Sequence, residues 1–354
     1  MSLIDEATRI REGEELDPAI VDRFMKAALP DLQGEPRIRQ YPGGASNLTY
    51  QIDYGARSYV LRRPPLGKIA KSAHDMLREA RLMQALKPVY SYVPSVVATC
   101  EDHAVLGCDF YVMERLKGII LRQDFPAELN LDAGQTRQLC LNVIDKLVEL
   151  HAVDVKAAGL AGLGKGEGYV RRQIEGWSDR YRKARTEDVG DFEAVMAWLQ
   201  AHMPTDVGQC LIHNDYRFDN VVLDPDNPFR VIGVLDWEMA TIGDPLMDLG
   251  NSLAYWIEAD DDPMMQFMRR QPTHRPGMLT RREVIAYYLE KSGLQTRSFD
   301  FYEIYGLFRL AVIIQQIYYR YFHGQTKDKR FAGFGTACQY LQQRCERLIA
   351  ASAG

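Results

Sequence analysis

Between Leu211 and Leu223 the chain reads LIHNDYRFDNVVL, crowding His213, Asn214, Asp215, Asp219 and Asn220 into the mouth of an apolar run. Carboxylates accept protons, and carboxylate and amide oxygens ligate hard cations. Farther on, VIGVLDW closes a second apolar run with Asp236. The segment VVLDPDNPFRVIGVLDW reads as two short strands around a DPDNP turn. An antiparallel pair returns the chain to its starting end, so Asn220 and Asp236 are expected side by side. Asp215 lies in the loop that feeds the same strand, and the three side chains are expected to converge. Asn220 and Asp236 suit Mg2+, which leaves Asp215 to accept a proton. Any one of these residues could cap a turn; their combination across a hairpin argues for a site. His213, with no second histidine close by, reads as a packed or hydrogen-bonded core residue rather than a metal ligand.

The elements that must position these groups fall into two parts. PAIVDRFMKAALP (residues 18–29 and Pro30) predicts a short amphipathic helix. IRQYPGGASNLTYQIDY, SYVLRRPP, VPSVVATC and DFYVMERLKG predict strands, rich as they are in β-branched and aromatic residues. SAHDMLREARLMQAL predicts a helix among them, with Ser72 as its cap. After Gly118 the pattern turns helical: TRQLCLNVIDKLVELHAVD, YVRRQIEGWSDRYRKAR and DFEAVMAWLQAHM all carry helical periodicity, and helix resumes from about Gly243 to the end. The expected class is α+β, with a small antiparallel-sheet lobe holding one main helix (1–116) and a larger, mostly helical lobe (117–354).

Composition narrows the function classes. A length of 354 residues suffices for two lobes with their own cores. A net charge of -5 lacks the basic signature of a nucleic-acid partner. The six cysteines form no Cys-x-x-Cys pair, so they read as reduced, mostly buried thiols. The N-terminus does not resemble a signal peptide and no stretch has the apolar length of a membrane span, so a cytoplasmic location with no membrane partner is expected.

HNDYRFDN followed by VLDWE resembles the His-Gly-Asp-x-x-x-x-Asn and Asp motif of the aminoglycoside phosphotransferase and choline kinase-like families, which share the two-lobe protein-kinase-like fold. The order of elements agrees from about residue 20 to 345, and GDPLMDLG at 243–250 resembles a helix-opening segment of the same family. The resemblance implies that Asp215 is the catalytic base or substrate-orienting group and that Asn220 and Asp236 hold the metal. It implies that YPGGASNLTY, with Gly43, Gly44, Ser46 and Asn47, covers the phosphates of ATP through main-chain N–H groups. In YVLRR, Arg62 takes the position of the usual phosphate-holding lysine, and its planar fork can grip two phosphate oxygens. Glu79 is the expected partner of Arg62. FYVMERLKG resembles the hinge, where main chain around Glu114 and Leu116 meets adenine and Met113 packs against the purine. Asn214 stands where the family usually has glycine, and asparagine tolerates unusual backbone angles better than most residues. LRRPP is similar to the subgroup of kinase-like domains fused to acyl-CoA dehydrogenases.

The implied activity is an ATP-dependent, Mg2+-requiring transfer of the γ-phosphate to a hydroxyl of a small molecule. For the acceptor, the basic helix 169–185 suggests an anion such as a hydroxyacyl-CoA. Arg171, Arg172 and Arg217 would then be substrate contacts, and Trp177 with Tyr181 an aromatic surface. The competing acceptor is a polycationic aminoglycoside held by the acidic run EADDDP at 258–263. Two further alternatives are a nucleotide-binding pseudokinase, favoured by Arg62 and Asn214, and a metal-dependent hydrolase built on His213, Asp215 and Asp236.

Overall fold

Proline at the first helical position and an aspartate before it start the first helix, α1 (Pro18–Ala28): Asp17 accepts the Ala19 N–H at 2.8 Å. The computed structural model of the chain describes residues 3–42, 47–65 and 75–352. Strands β1 (Arg37–Gln40), β2 (Leu48–Tyr54), β3 (Arg57–Arg63), β4 (Val96–Cys100) and β5 (Phe110–Glu114) form one antiparallel sheet in the order β1-β2-β3-β5-β4. α1 seals it: Val21 and Met25 join Tyr50, Ile52, Leu61, Phe110 and Val112 in one apolar cluster. The second helix, α2 (Met76–Leu86), is capped by Asp75, which accepts the Arg78 N–H at 2.8 Å. The expected cap, Ser72, lies outside the described residues. A short α3 (His103–Leu106) and β6 (Ile119–Ile120) complete this stretch.

The chain then runs through α4 (Ala133–His151), α5 (Tyr169–Ala184), α6 (Glu193–Ala201) and β7 (Cys210–Ile212). The hairpin follows as β8 (Val221–Leu223) and β9 (Val231–Val234), then β10 (Thr241–Gly243) and five helices: α7 (Pro245–Leu253), α8 (Pro263–Met268), α9 (Arg281–Ser292), α10 (Asp300–Phe322) and α11 (Phe334–Ser352). The short α3, β7 and β10 were not anticipated; each spans three or four residues, too few to print a period on the sequence. Among the described residues no helix is long and apolar enough to cross a membrane.

Two compact units emerge, and they interleave along the chain. One comprises Met1–Ile120, Lys156–Leu160 and Asn220–Met239; the other comprises Leu121–Val155, Ala161–Asp219 and Ala240–Gly354. The β8–β9 hairpin, although it lies within 117–354, groups with the first unit, where β8 also pairs with β6 through Ile119↔Leu223 and Ile120↔Val222. In the second unit β7 and β10 pair antiparallel, Ile212 opposite Thr241. There the buried half of α10 presses on α7. A Cβ at Gly306 would lie 2.1 Å from the Gly250 carbonyl oxygen, and one at Gly250 2.4 Å from that of Tyr302. Glycine at both places is what lets the two helices approach backbone to backbone.

The start of α5 shows how distant residues complete local structure. Its N-cap, Gly168, has a φ of 79° and no side chain to offer. Asp206 supplies the missing acceptors, taking the N–H groups of Gly168 at 2.7 Å and of Tyr169 and Val170 at 2.9 Å. Asp206→Ala is therefore expected to destabilise the protein by about 1–2 kcal/mol. Urea denaturation should show a lower midpoint at constant slope, and an unmoved midpoint would mean that water caps the helix equally well.

Candidate active site

β7 delivers the chain directly into His213, and the loop that follows is held from beneath by α7. Asp248, 0% exposed, accepts the His213 N–H at 2.8 Å through one oxygen and the Asn214 N–H at 2.7 Å through the other. His151 Nε2 lies 3.0 Å from the Asp248 carboxylate, and His151 Nδ1 lies 2.6 Å from the Tyr288 hydroxyl. Burial by itself would push the Asp248 carboxyl up. The hydrogen bond and field of His151, with the donors of the loop, outweigh it and hold the group below the usual carboxylate range. The buried His213 ring accepts the Asp215 N–H at Nδ1, 3.2 Å away, and so packs beneath the loop rather than facing a metal.

Asn214 has a φ of 65°, in the left-handed region. That explains a position open to glycine or asparagine and closed to most other side chains. Asp215 follows, half-buried. Arg217 spans both its oxygens, Nε to Oδ1 at 3.1 Å and Nη2 to Oδ2 at 3.1 Å. The same guanidinium stands 3.4 Å from Asp219 and lies 4.6 Å over the Tyr255 ring. Arg217 is therefore a partner of Asp215 in this structure. Burial raises the Asp219 carboxyl against the pull of Arg217.

In the first unit the hairpin register sets Val221 opposite Val234, and the Leu235 N–H donates to the Asn220 carbonyl at 2.8 Å. Asn220 and Asp236 thus stand at the same end of the hairpin. Asp236 has a φ of 68°. Its Oδ1 meets Arg62 Nη2 at 3.0 Å, while Arg62 Nη1 meets Glu79 Oε1 at 2.6 Å. Glu79, 1% exposed, is no solvated helix residue; the same oxygen also accepts the Trp237 N–H at 3.1 Å. Glu238, 3.9 Å from Arg62, accepts from Asn47 Nδ2 at 2.7 Å. Burial would lower the Arg62 guanidinium, but Glu79, Asp236 and Glu238 around it keep it well above its usual range. Gly43, Gly44 and Ser46 lie outside the described residues. Along the expected hinge, the Glu114 N–H is spent on the Ser95 carbonyl at 2.8 Å and the Arg115 N–H on the Ser58 carbonyl at 3.1 Å. Met113 is buried, and Leu116 packs where a Cβ on Gly233 would come 2.1 Å from its Cδ1.

The acceptor residues of the sequence reading need correction. Trp177 is 7% exposed and Tyr181 is fully buried, its hydroxyl bound to the Gly190 carbonyl at 2.6 Å. Both belong to the apolar stripe of α5, so they form core rather than an aromatic surface. The cations of that helix are met locally. Arg182 pairs with Glu193 at 2.7 Å, Lys183 with Asp179 at 2.6 Å and Arg171 with Glu175 at 3.9 Å, while Arg172 donates to the carbonyls of Gly166 and Glu167. The acidic run is equally committed: Asp261 pairs with Arg281 at 2.6 Å and Arg344 at 3.0 Å, and Asp262 caps α8. Among the described residues no group of three or more His, Cys, Asp or Glu is placed to hold a metal ion.

The model of the phosphotransferase enzyme family matches residues 37–283, a span that contains the Asp215 loop, Arg62, Glu79 and the hairpin. The chain belongs to that family. Mouse acyl-CoA dehydrogenase family member 10 is 33% identical over 322 residues, which covers 90% of this chain and 30% of the relative. The chain thus spans under half the length of such relatives. A Ralstonia eutropha protein assigned to the aminoglycoside phosphotransferases superposes with a TM-score of 0.80 at 27% identity, covering 95% of this chain and 99% of that one. A thermostable mutant of an aminoglycoside phosphotransferase, in ternary complex with ADP and hygromycin B, shares the fold at a TM-score of 0.58 and 16% identity, covering 94% and 99%. This member of the family accordingly has the α+β, two-lobe, protein-kinase-like fold.

The grip of Asp248 on the loop is testable by pH. Its folded value is depressed, so its contribution is fully present above the ordinary carboxyl value of about 3.9 and is lost as pH falls through the lower folded value. Asp248→Asn confronts two N–H donors with an amide that can accept through one atom. It is expected to cost about 3 kcal/mol at pH 7 and to flatten the acid limb of the stability profile. Equal acid sensitivity in both proteins would remove Asp248 from that role.

Proposed function

We propose that this phosphotransferase is an ATP-dependent, Mg2+-requiring small-molecule kinase that moves the γ-phosphate to an alcohol hydroxyl. The observation that carries the reading is the buried Arg62–Glu79 pair, whose guanidinium turns its other nitrogen to Asp236. This is a fixed cation, anchored on one side, suited to the α- and β-phosphates. Asn220 and Asp236 offer an amide and a carboxylate oxygen from one end of a hairpin, a hard-oxygen pair that fits Mg2+. When bound, the ion neutralises phosphate charge. Residues 1–116 contribute the nucleotide-binding groups: the Gly43, Gly44, Ser46 and Asn47 segment for the phosphates, and the Glu114 carbonyl, the Leu116 N–H and the Met113 side chain for adenine. Residues 117–354 contribute Asp215, Asn220 and Asp236.

Asp215 is the proton acceptor. As the acceptor oxygen bonds to the γ-phosphorus and the bond to the bridging oxygen of ADP breaks, the hydroxyl proton passes to the Asp215 carboxylate. Arg217, bound to both oxygens, fixes the orientation of that carboxylate. The departures at Arg62 and Asn214 do not favour a pseudokinase, since Arg62 has its glutamate and Asn214 the backbone angle its position requires.

For the acceptor we favour an anion, with a hydroxyacyl-CoA or related metabolite as the candidate. The carboxylates 258–263 that a polycationic aminoglycoside would need include Asp261 and Asp262, which are tied to internal partners. Arg171, in a solvent-exposed pair with Glu175 at 3.9 Å, is the α5 cation that stays open to an anion, whereas Arg172 is held by the carbonyls of Gly166 and Glu167.

Asp215→Asn should leave calorimetric Mg·ATP binding within about twofold and lower phosphoryl transfer by roughly 10² or more; unchanged turnover would take Asp215 out of the mechanism. Arg62→Ala should raise the KM for ATP, with partial recovery in Arg62→Lys, because an ammonium restores the charge without the fork. An unaltered KM in Arg62→Ala would assign Arg62 to stability alone.

A further inference from the structure

Glycine would meet the left-handed angle at position 214 with less strain than asparagine, so the amide side chain needs a reason of its own. Its surroundings supply one. Asn214 is 7% exposed, and its Oδ1 accepts from the Tyr169 hydroxyl of α5 at 3.3 Å and from Asn251 Nδ2 of α7 at 3.1 Å. Its carbonyl accepts from Arg309 Nη2 of α10 at 3.0 Å, and its N–H is held by Asp248 at 2.7 Å. Arg309 is 3% exposed and lies 5.1 Å from the Trp177 ring. Among the described residues it forms no ion pair with a carboxylate, so its charge is directed at a single peptide carbonyl. Main-chain and side-chain bonds from three helices therefore converge on the residue that precedes Asp215.

We propose that the Asn214 amide is a positioning residue for Asp215. Rotation of the 214–215 peptide would swing the Asp215 carboxylate away from the acceptor hydroxyl. The main-chain bonds to Asp248 and Arg309 restrain the two ends of residue 214, and the side-chain bonds to Tyr169 and Asn251 block its rotation as a whole. A glycine in this place keeps the angle and loses the two bonds that lock it. The inference rests on the reading of Asp215 as the proton acceptor.

The test uses the full chain, with Mg·ATP affinity by calorimetry and ATP hydrolysis, water being the acceptor, as readouts. Asn214→Gly is expected to bind Mg·ATP within twofold of wild type and to hydrolyse it about tenfold more slowly, the scale of one or two lost hydrogen bonds. Tyr169→Phe should cost about threefold in the wild-type background and nothing further in the Asn214→Gly background, because the acceptor of its hydroxyl has already gone. A role limited to stability would not produce that non-additivity. Turnover within twofold of wild type in Asn214→Gly, or an undiminished Tyr169→Phe effect in that background, overturns the proposal. Should Asn214→Gly fail to fold, Tyr169→Phe and Asn251→Ala carry the test, and wild-type turnover in both overturns it. Asp215→Asn runs in parallel. If it hydrolyses ATP at the wild-type rate, the functional reading fails; if it is impaired while Asn214→Gly is not, only the positioning role fails.

Discussion

A carboxylate shielded from water has to find its hydrogen bonds within the protein, and Asp248 finds them in the main chain that precedes Asp215. That requirement organises much of the second unit. α7 must begin where it does, so Asp244 caps it and the β7–β10 pair feeds both the loop and the helix. α7 must also lie close to α10, and Gly250 and Gly306 permit that approach. His151 and Tyr288 complete the chain of bonds behind the carboxylate. A buried network of this kind is rigid only when every member is satisfied, which is why its parts come from α4, α7 and α9 together.

The first unit solves the opposite problem, since it gathers charge rather than hiding one group. Arg62 faces Glu79, Asp236 and Glu238, and Arg78 donates to the Glu238 carbonyl at 3.3 Å. Under the proposed function the Asp236 carboxylate serves both sides of the cluster, facing the Arg62 guanidinium and offering an oxygen to the metal. Asn47, tied to Glu238, links the strand after the glycine segment to the same cluster.

The sequence made some of this legible and hid the rest for identifiable reasons. The hairpin returning Asn220 to Asp236, the left-handed angle at Asn214 and the Arg62–Glu79 pair all follow from local pattern or residue chemistry. Asp248 was hidden because a single carboxylate on an otherwise apolar helix reads as an exposed position. Trp177 and Tyr181 were misplaced because spacing by four along a helix says that two rings share a face and not which way that face looks. The acidic run at 258–263 looked available because its partners, Arg281 and Arg344, lie far along the chain. Long-range pairing of this sort leaves no local signature, and it decided the misreading of that run.

The interleaving of the two units has a consequence for how the chain matures. Ile119 and Ile120 in β6 can pair only with Val222 and Leu223, about a hundred residues later. The segment up to Ile120 therefore leaves the ribosome with its five-stranded sheet complete, β6 unpaired and the place of the buried Trp237 unfilled. Its stable form waits until the hairpin emerges, by which time α4, α5 and α6 have all been made. Ribosome-bound intermediates of this protein should therefore expose apolar surface for longer than a chain whose units follow one another in sequence, and they are natural clients for chaperones.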